Sequence, residues 1–270
     1  MKQSALTHDN LENIEAEAWL DMYAAAPPDY VRENALRSCR IGGGICLAHG
    51  QLLSAKFTRT VGAASLNEID EAIAWIEVAS APGWVVQVPV QDETASIRKN
   101  LEARGYAPRG NGWAKFARNG VDQPRMFDPC LSVRAIAAAD ARVFAQTAQA
   151  GFGLPATSQG WLAALAGRRN WHLFLAYWNA IPIACGAMFT SGDRAWMGID
   201  TTLPAFRNRG AQSMLIAARL GHGDRSGVKT FTAETGQPQA DLEHQHVSFS
   251  NYRRAGFINA YTRLNYARAA

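Results

Sequence analysis

The segment with the most chemical content runs Thr201-Thr-Leu-Pro-Ala-Phe-Arg-Asn-Arg-Gly-Ala-Gln-Ser-Met-Leu215. A strand-like stretch ends, a proline turns the chain, and Arg207-Asn208-Arg209-Gly210 leads straight into an amphipathic helix. The first turn of a helix exposes unpaired N–H groups and a partial positive charge, which together attract anions. Gly210 lets an anion come close to the backbone, and the two arginines add formal charge. No acidic residue occurs between Asp200 and Asp224. The pattern reads as a phosphate-binding turn, the alternative being two plain surface arginines. A second helix start, Ser65-Leu-Asn-Glu68 followed by Asp70 and Glu71, has the opposite character. It is a capping box that satisfies its own N–H groups and surrounds them with negative charge.

The elements that must hold this turn follow from periodicity and breakers. Residues 131–136 predict a strand, 137–151 and 158–168 helices, and 171–178, 181–190 and 195–202 an antiparallel meander. A helix over 210–222, a strand over 228–233, a helix over 248–255 and a strand over 257–265 complete the second half. The first half repeats the plan in worn form: helices over 11–25, 28–36, 66–79 and 94–104, and strands over 37–49, 53–61, 84–90 and 112–117. The best internal match sets Leu101-Glu-Ala-Arg-Gly-Tyr106 against Tyr252-Arg-Arg-Ala-Gly-Phe257, each a helix end, a stopping glycine and an aromatic. The polar, proline-bearing stretch 119–129 predicts a boundary between domains at 1–120 and 129–270.

Composition narrows the classes. The 270 residues are 48% hydrophobic and 19% charged, as in an ordinary soluble globular protein. No run reaches the roughly 20 apolar residues of a membrane span. The first 19 residues lack the apolar region of a signal peptide, so the expected location is cytoplasmic. Residues 1–120 carry 12 Lys+Arg against 14 Asp+Glu and residues 121–270 carry 15 against 9, so the second half suits an anionic ligand better. No Lys/Arg cluster with interleaved aromatics suggests nucleic acid. The four cysteines form no C-x-x-C pair and read as incidental thiols. Gly42-Gly43-Gly44 lacks the Lys-Ser/Thr of a P-loop and reads as a hairpin turn. His244-Gln-His246 matches no established metal spacing and reads as part of a loop beside the substrate entrance, so no metal is expected.

Arg207-x-x-Gly210-x-Gln212, following a strand and a proline and opening a helix, resembles the acyl-CoA loop of the GNAT superfamily of N-acetyltransferases, which usually reads Gln/Arg-x-x-Gly-x-Gly/Ala. The order of elements over 131–265 and the closing helix-Gly-Phe-strand resemble that family too; the first half does so by topology only. Gln212 departs from the family's Gly or Ala. The resemblance implies an α/β (α+β) fold of two GNAT-like domains, each a mixed, largely antiparallel sheet flanked by helices, the first a degenerate one walling the acceptor site. It implies acetyl-CoA as donor and a primary amine, on a small molecule or a peptide, as acceptor, attacking directly in a ternary complex. Backbone groups of Asp200, Thr201 and Thr202 would pair with the pantetheine arm. Amides from Arg207 through Asn208, Arg209, Gly210 and Ala211 to Gln212 would cradle the pyrophosphate. Tyr252 matches the family's tyrosine that protonates the leaving thiolate; its counterpart in the first half is Leu101. Such a reaction uses a base, for which Glu234 is the first candidate and Asp200 the second. A salt-bridged carboxylate is the alternative for either, and a packing residue the alternative for Tyr252. The rival functions are an aminoacyl-type transferase with another donor and a non-catalytic acyl-CoA sensor.

Overall fold

In a computed structural model, which describes residues 8–52, 54–79, 83–119 and 130–268, the chain forms a mixed α/β fold around one twelve-stranded sheet. The first half contains α1 (His8–Ala24), α2 (Pro28–Glu33), β1 (Arg37–Ile41), β2 (Gly44–Ala48), β3 (Arg59–Val61), α3 (Leu66–Ala79), β4 (Val85–Pro89), α4 (Ala95–Ala103), β5 (Tyr106–Pro108) and β6 (Trp113–Asn119). The second contains β7 (Leu131–Ala135), α5 (Ala141–Phe152), α6 (Gln159–Ala163), β8 (Trp171–Trp178), β9 (Ile181–Ser191), β10 (Arg194–Thr202), α7 (Ala211–Arg225), β11 (Thr230–Gly236), α8 (Val247–Arg254) and β12 (Ile258–Arg268).

Local chemistry accounts for most of these elements. The β8–β9–β10 meander turns at Asn179 and Gly192, both at positive φ, a conformation that Asn and Gly tolerate best. Gly153 stops α5 in the left-handed conformation. The strand-like runs of 37–49 form a hairpin about the glycine turn, as expected, because Gly42 at φ 53° turns β1 back onto β2. The stretch 53–61 keeps only β3 as strand, since the N–H groups of Phe57 and Thr58 are bonded locally to the Ser54 carbonyl. The helix expected over 158–168 shortens to α6, and β5 is a strand the sequence reading did not separate.

The sheet runs β1-β2-β3-β4-β12-β6-β11-β10-β9-β8-β7, with β5 also paired to β12. The two halves are interleaved in it. β12, from the second half, lies antiparallel to β4 and β5 of the first. β6, from the first half, lies antiparallel to β11 of the second and to β12. The boundary expected over 119–129 lies, apart from Asn119, outside the described residues; on either side of it each half lends the other a strand.

One face of the second half's sheet packs α1, α5 and α6 in a cluster with Trp19, Phe144, Trp161, Leu175 and Trp196. The other packs α7 and α8 in a cluster with Phe116, Met197, Leu215, Phe231 and Phe249. Helices on both faces leave the edges of the central strands as the places where backbone groups can meet a ligand.

Candidate active site

The site begins where two parallel strands part. β10 and β11 pair from Arg194↔Thr230 to Met197↔Ala233. Beyond that point β10 continues to Thr202 paired to β9, while β11 continues to Gly236 paired to β6. The strand edges of Ile199–Thr202 and of Glu234–Gly236 therefore face a split rather than each other. A β-bulge sits at the fork: Gly198 pairs Ala187 and Thr201 pairs Cys185, so Ile199 and Asp200 together oppose Gly186. Ile199 takes φ 56°, a costly conformation for a β-branched residue. The extra residue reverses the in-and-out alternation, sending Ile199 to the α1/α5 side and Asp200 to the α7/α8 side. Glycine at 186 is required there, because a Cβ would lie 2.7 Å from Asp200 Oδ1.

Asp200 is held from two directions. Tyr252 Oη, on α8, donates to its Oδ2 at 2.5 Å, and Arg219 Nη1, on α7, pairs with its Oδ1 at 2.5 Å. Arg219 is fully buried and also donates to the carbonyls of Leu215 and Ala187, each at 3.0 Å. Tyr252 is buried, stacked 5.6 Å from Phe116. Burial and the Asp200 charge push its hydroxyl pKa well above the ordinary tyrosine value, although Arg219 opposes this.

On the α7/α8 side, the split opens into a cleft of about 1070 Å³. Asp200, Thr201, Thr202, Arg207, Asn208, Gly210, Ala211 and Gln212 all line it. Gly210 is the N-cap of α7 at φ 80° and provides no side-chain cap. The first backbone bond of α7 runs from Met214 N–H to the Gly210 carbonyl, which leaves the preceding amides to the cleft. The contrast with α3 is direct: there Glu68 N–H bonds Ser65 Oγ and the Glu68 carboxylate accepts from Ala64 N–H. Arg209 turns aside and lies 4.8 Å over the Trp178 ring. Gln212 is drawn away from the helix axis: its amide donates to Ser248 Oγ and its carbonyl accepts from Asn251, both at 2.8 Å. The departure from a small residue at 212 thus ties α7 to α8.

The far wall, His244 to Ser248 with Ser250, Asn251 and Arg254, was not assigned by sequence reasoning beyond the placing of its loop near the entrance. Arg207 and Arg254 are cations on the lining. The single lining carboxylate, Asp200, is already paired, so the cleft favours an anion. Arg219 was missed too; its signal is an arginine four residues after Leu215, on the buried face of α7.

Glu234 stands apart from this cleft, on the α1 side of the sheet. Its carboxylate accepts from Arg59 Nη2 at 2.9 Å and Arg263 Nη2 at 2.5 Å. The same guanidiniums reach Glu15, at 3.3 and 2.9 Å; Lys115 also pairs with Glu15, and Arg263 with Glu12 at 3.1 Å. The sequence-predicted base is therefore part of a buried network joining α1, β3, β6, β11 and β12, the salt-bridged alternative. Among the described residues no group of His, Cys, Asp and Glu could hold a metal ion, and no helix is long and apolar enough to cross a membrane.

No protein-family model matches the chain, and no curated protein does. Solved structures do. A GCN5-related N-acetyltransferase from Kribbella flavida is 15% identical and superimposes with a TM-score of 0.65 over 98% of this chain and 97% of its own. A GCN5-related N-acetyltransferase from Sphaerobacter thermophilus is 17% identical, with a TM-score of 0.59 over 74% of this chain and 65% of its own. A Drosophila protein is 15% identical, with a TM-score of 0.51 over 93% and 95%. The fold of this chain is that of the GCN5-related N-acetyltransferases.

Proposed function

We propose that this chain, on a GCN5-related N-acetyltransferase fold, transfers an acetyl group from acetyl-CoA to a primary amine by direct attack in a ternary complex. The observation that carries the reading is the uncapped N-terminus of α7, with left-handed Gly210, at the mouth of the split between β10 and β11. The cleft residues fit the donor. The amides of Ala211 and Gln212 with Arg207 suit a pyrophosphate, and the free edge of β10 at Asp200–Thr202 suits an extended amide-bearing arm, as an added strand would. The cleft is at the upper end of ligand-site volumes, which suits a large donor. Bound there, acetyl-CoA supplies an activated thioester carbonyl. The protein's part is to orient the two reactants and exclude water. In this reading Tyr252, buried behind the lining with its hydroxyl donating to Asp200, would turn that proton to the departing thiolate only by leaving Asp200. Glu234, engaged by two guanidiniums, acts as scaffold in this reading, and the base is left to Asp200 acting through water or to solvent.

The first half of the chain completes the sheet through β6 and walls the acceptor side, with its own helix start at α3 capped and acidic. The test is thermal unfolding with and without acetyl-CoA, followed by a thiol-release screen of amines. A ligand at about 100 times its Kd stabilises the fold by roughly 2.7 kcal/mol; an unchanged midpoint at millimolar acetyl-CoA refutes the reading. One observation favours a second reading, a non-catalytic acyl-CoA-binding protein. Tyr252 and Glu234 are both committed to internal partners. Binding without turnover on any amine selects it.

A further inference from the structure

Opposite the cleft, on the α1/α5 side, the split is spanned by one side chain from the first half of the chain. Lys56 Nζ lies 5.6 Å from the ring centre of Trp113 and 5.1 Å from that of Phe152. Trp113 begins β6 and pairs with Gly236, at the unzipped end of β11. Phe152 follows Gly151, whose α-carbon faces Thr201 so closely that a Cβ would lie 2.4 Å from Thr201 Oγ1, at the unzipped end of β10. The ammonium thus sits across the fork, between a ring on each bank, at the face from which an acceptor would meet a thioester arriving from the cleft.

Among the described residues, Lys56 is also the cation of this neighbourhood that makes no ion pair. Arg59, Lys115 and Arg263 are balanced by Glu12, Glu15 and Glu234 in the network beside it. The ammonium of Lys56 makes no ion pair or hydrogen bond with a described residue and lies against the rings of Trp113 and Phe152. Burial lowers its pKa, Glu234 opposes that shift and Arg59 adds to it. A partly buried ammonium without a carboxylate is costly, and ring contact offsets only part of the cost. An anionic group on a ligand would supply what is missing, and the flanking rings would cover an apolar body.

We infer that Lys56 is the specificity determinant of the acceptor site, and that the acceptor amine also carries a carboxylate. This rests on the acetyltransferase reading and names its substrate class. The carboxylate would pair with Lys56, holding the amine over the fork, while Trp113 and Phe152 contact the carbon skeleton between the two groups.

The test has two arms. In the first, the full-length protein with acetyl-CoA is assayed on matched pairs, phenylalanine against phenethylamine and 4-aminobutyrate against butylamine. The carboxylate member is expected to have at least tenfold higher kcat/KM, mainly through KM. Lys56→Met should abolish that preference and Lys56→Arg should retain part of it. Equal kcat/KM within each pair, or a preference that survives in Lys56→Met, overturns the inference. The second arm needs no turnover: saturation-transfer NMR of 3-phenylpropionate against phenethylamine, on wild type and on Lys56→Met. Selective binding of the carboxylate that disappears in Lys56→Met supports the inference even where no amine is acetylated, an outcome that sinks the acetyltransferase reading alone. Equal binding of both probes, or none, sinks the inference. Thermal midpoints of the variant check its fold, and since Lys56 makes no ion pair with a described residue, Lys56→Met should melt no lower than wild type.

Discussion

Tyr252 and Asp200, 52 positions apart in sequence, share a hydrogen bond of 2.5 Å in which the tyrosine donates, and Arg219 grips the other oxygen of the same carboxylate. The three side chains come from α8, β10 and α7, so the bond couples the splayed strand to both helices of the cleft. It keeps the Tyr252 hydroxyl protonated, since burial and the adjacent negative charge both disfavour the phenolate.

Under the proposed reaction, in which Tyr252 protonates the leaving thiolate, this bond gives a specific expectation. Tyr252→Phe should lower kcat by about 100-fold or more, with KM for acetyl-CoA changed little. The wild-type rate should show no alkaline decline from Tyr252 at pH 8–10, because its pKa is raised. Steady-state kinetics against pH on both proteins decide the matter; turnover of the variant within twofold of wild type reduces Tyr252 to a packing residue.

Arg207 and Arg209 should separate by what they touch. Arg207 lines the cleft, so Arg207→Ala should weaken acetyl-CoA binding by about tenfold while leaving the unliganded midpoint unchanged. Arg209 lies on Trp178, with Phe206 5.8 Å away, so Arg209→Ala should cost about 0.5–1 kcal/mol of stability even without ligand. Melting curves with and without acetyl-CoA measure both effects, and identical behaviour of the two variants would contradict the geometry.

Glu234→Gln should act on folding before chemistry. It leaves Arg59 and Arg263 facing a neutral amide inside a network that includes fully buried Glu15, and breaking one member of such a network costs about 3–5 kcal/mol. Urea unfolding should show that loss. A variant of wild-type stability whose acid limb of kcat/KM has vanished would instead restore Glu234 as the base.

Acid should unfold the protein in two stages. His49 is buried, and its Nδ1 accepts from the N–H groups of Gln51 and Leu52, so Nε2 carries the proton facing Tyr30 Oη at 2.9 Å. Burial pushes its pKa down to about 4 from 6.5. The unfolded chain takes up that proton first, so stability is complete above pH 6.5 and drains as pH falls towards 4. For Glu15, burial would raise the pKa, but Arg263, Lys115 and Arg59 outweigh it and hold the carboxyl below its ordinary 4.5. Its contribution is complete above pH 4.5 and is lost below. Thermal midpoints from pH 8 to 3 should fall gently from about 6.5 and steeply below about 4.5; a profile flat down to pH 4.5 would contradict the His49 assignment, and one with no steepening below it the Glu15 assignment.

Much of this architecture is legible along the chain because it is local. The meander over 171–202, the turn at Arg207–Gly210 and the opposed characters of the α3 and α7 starts all rest on residues within a few positions of one another. Propensity, capping and glycine geometry act at that range. The misreading over 53–61 is a local conflict: backbone bonds are spent on a turn at Ser54 where a strand was expected.

What the sequence alone determined is therefore an anion-ready helix start after a strand, and the order of elements that presents it. The tertiary structure decided the rest. Whether β6 and β12 complete their own halves or each other's depends on strand pairs more than 100 residues apart, which no local pattern encodes. Which side of the sheet Asp200 faces depends on one extra residue in β10, since a single-residue slip reverses every side chain beyond it. Glu234 and Lys56 are, in sequence, two ordinary charged residues. Only the packing of α1, β3 and β12 locks the first between guanidiniums, and only the tertiary fold brings Trp113 and Phe152 to the second, which makes no ion pair with a described residue at the fork.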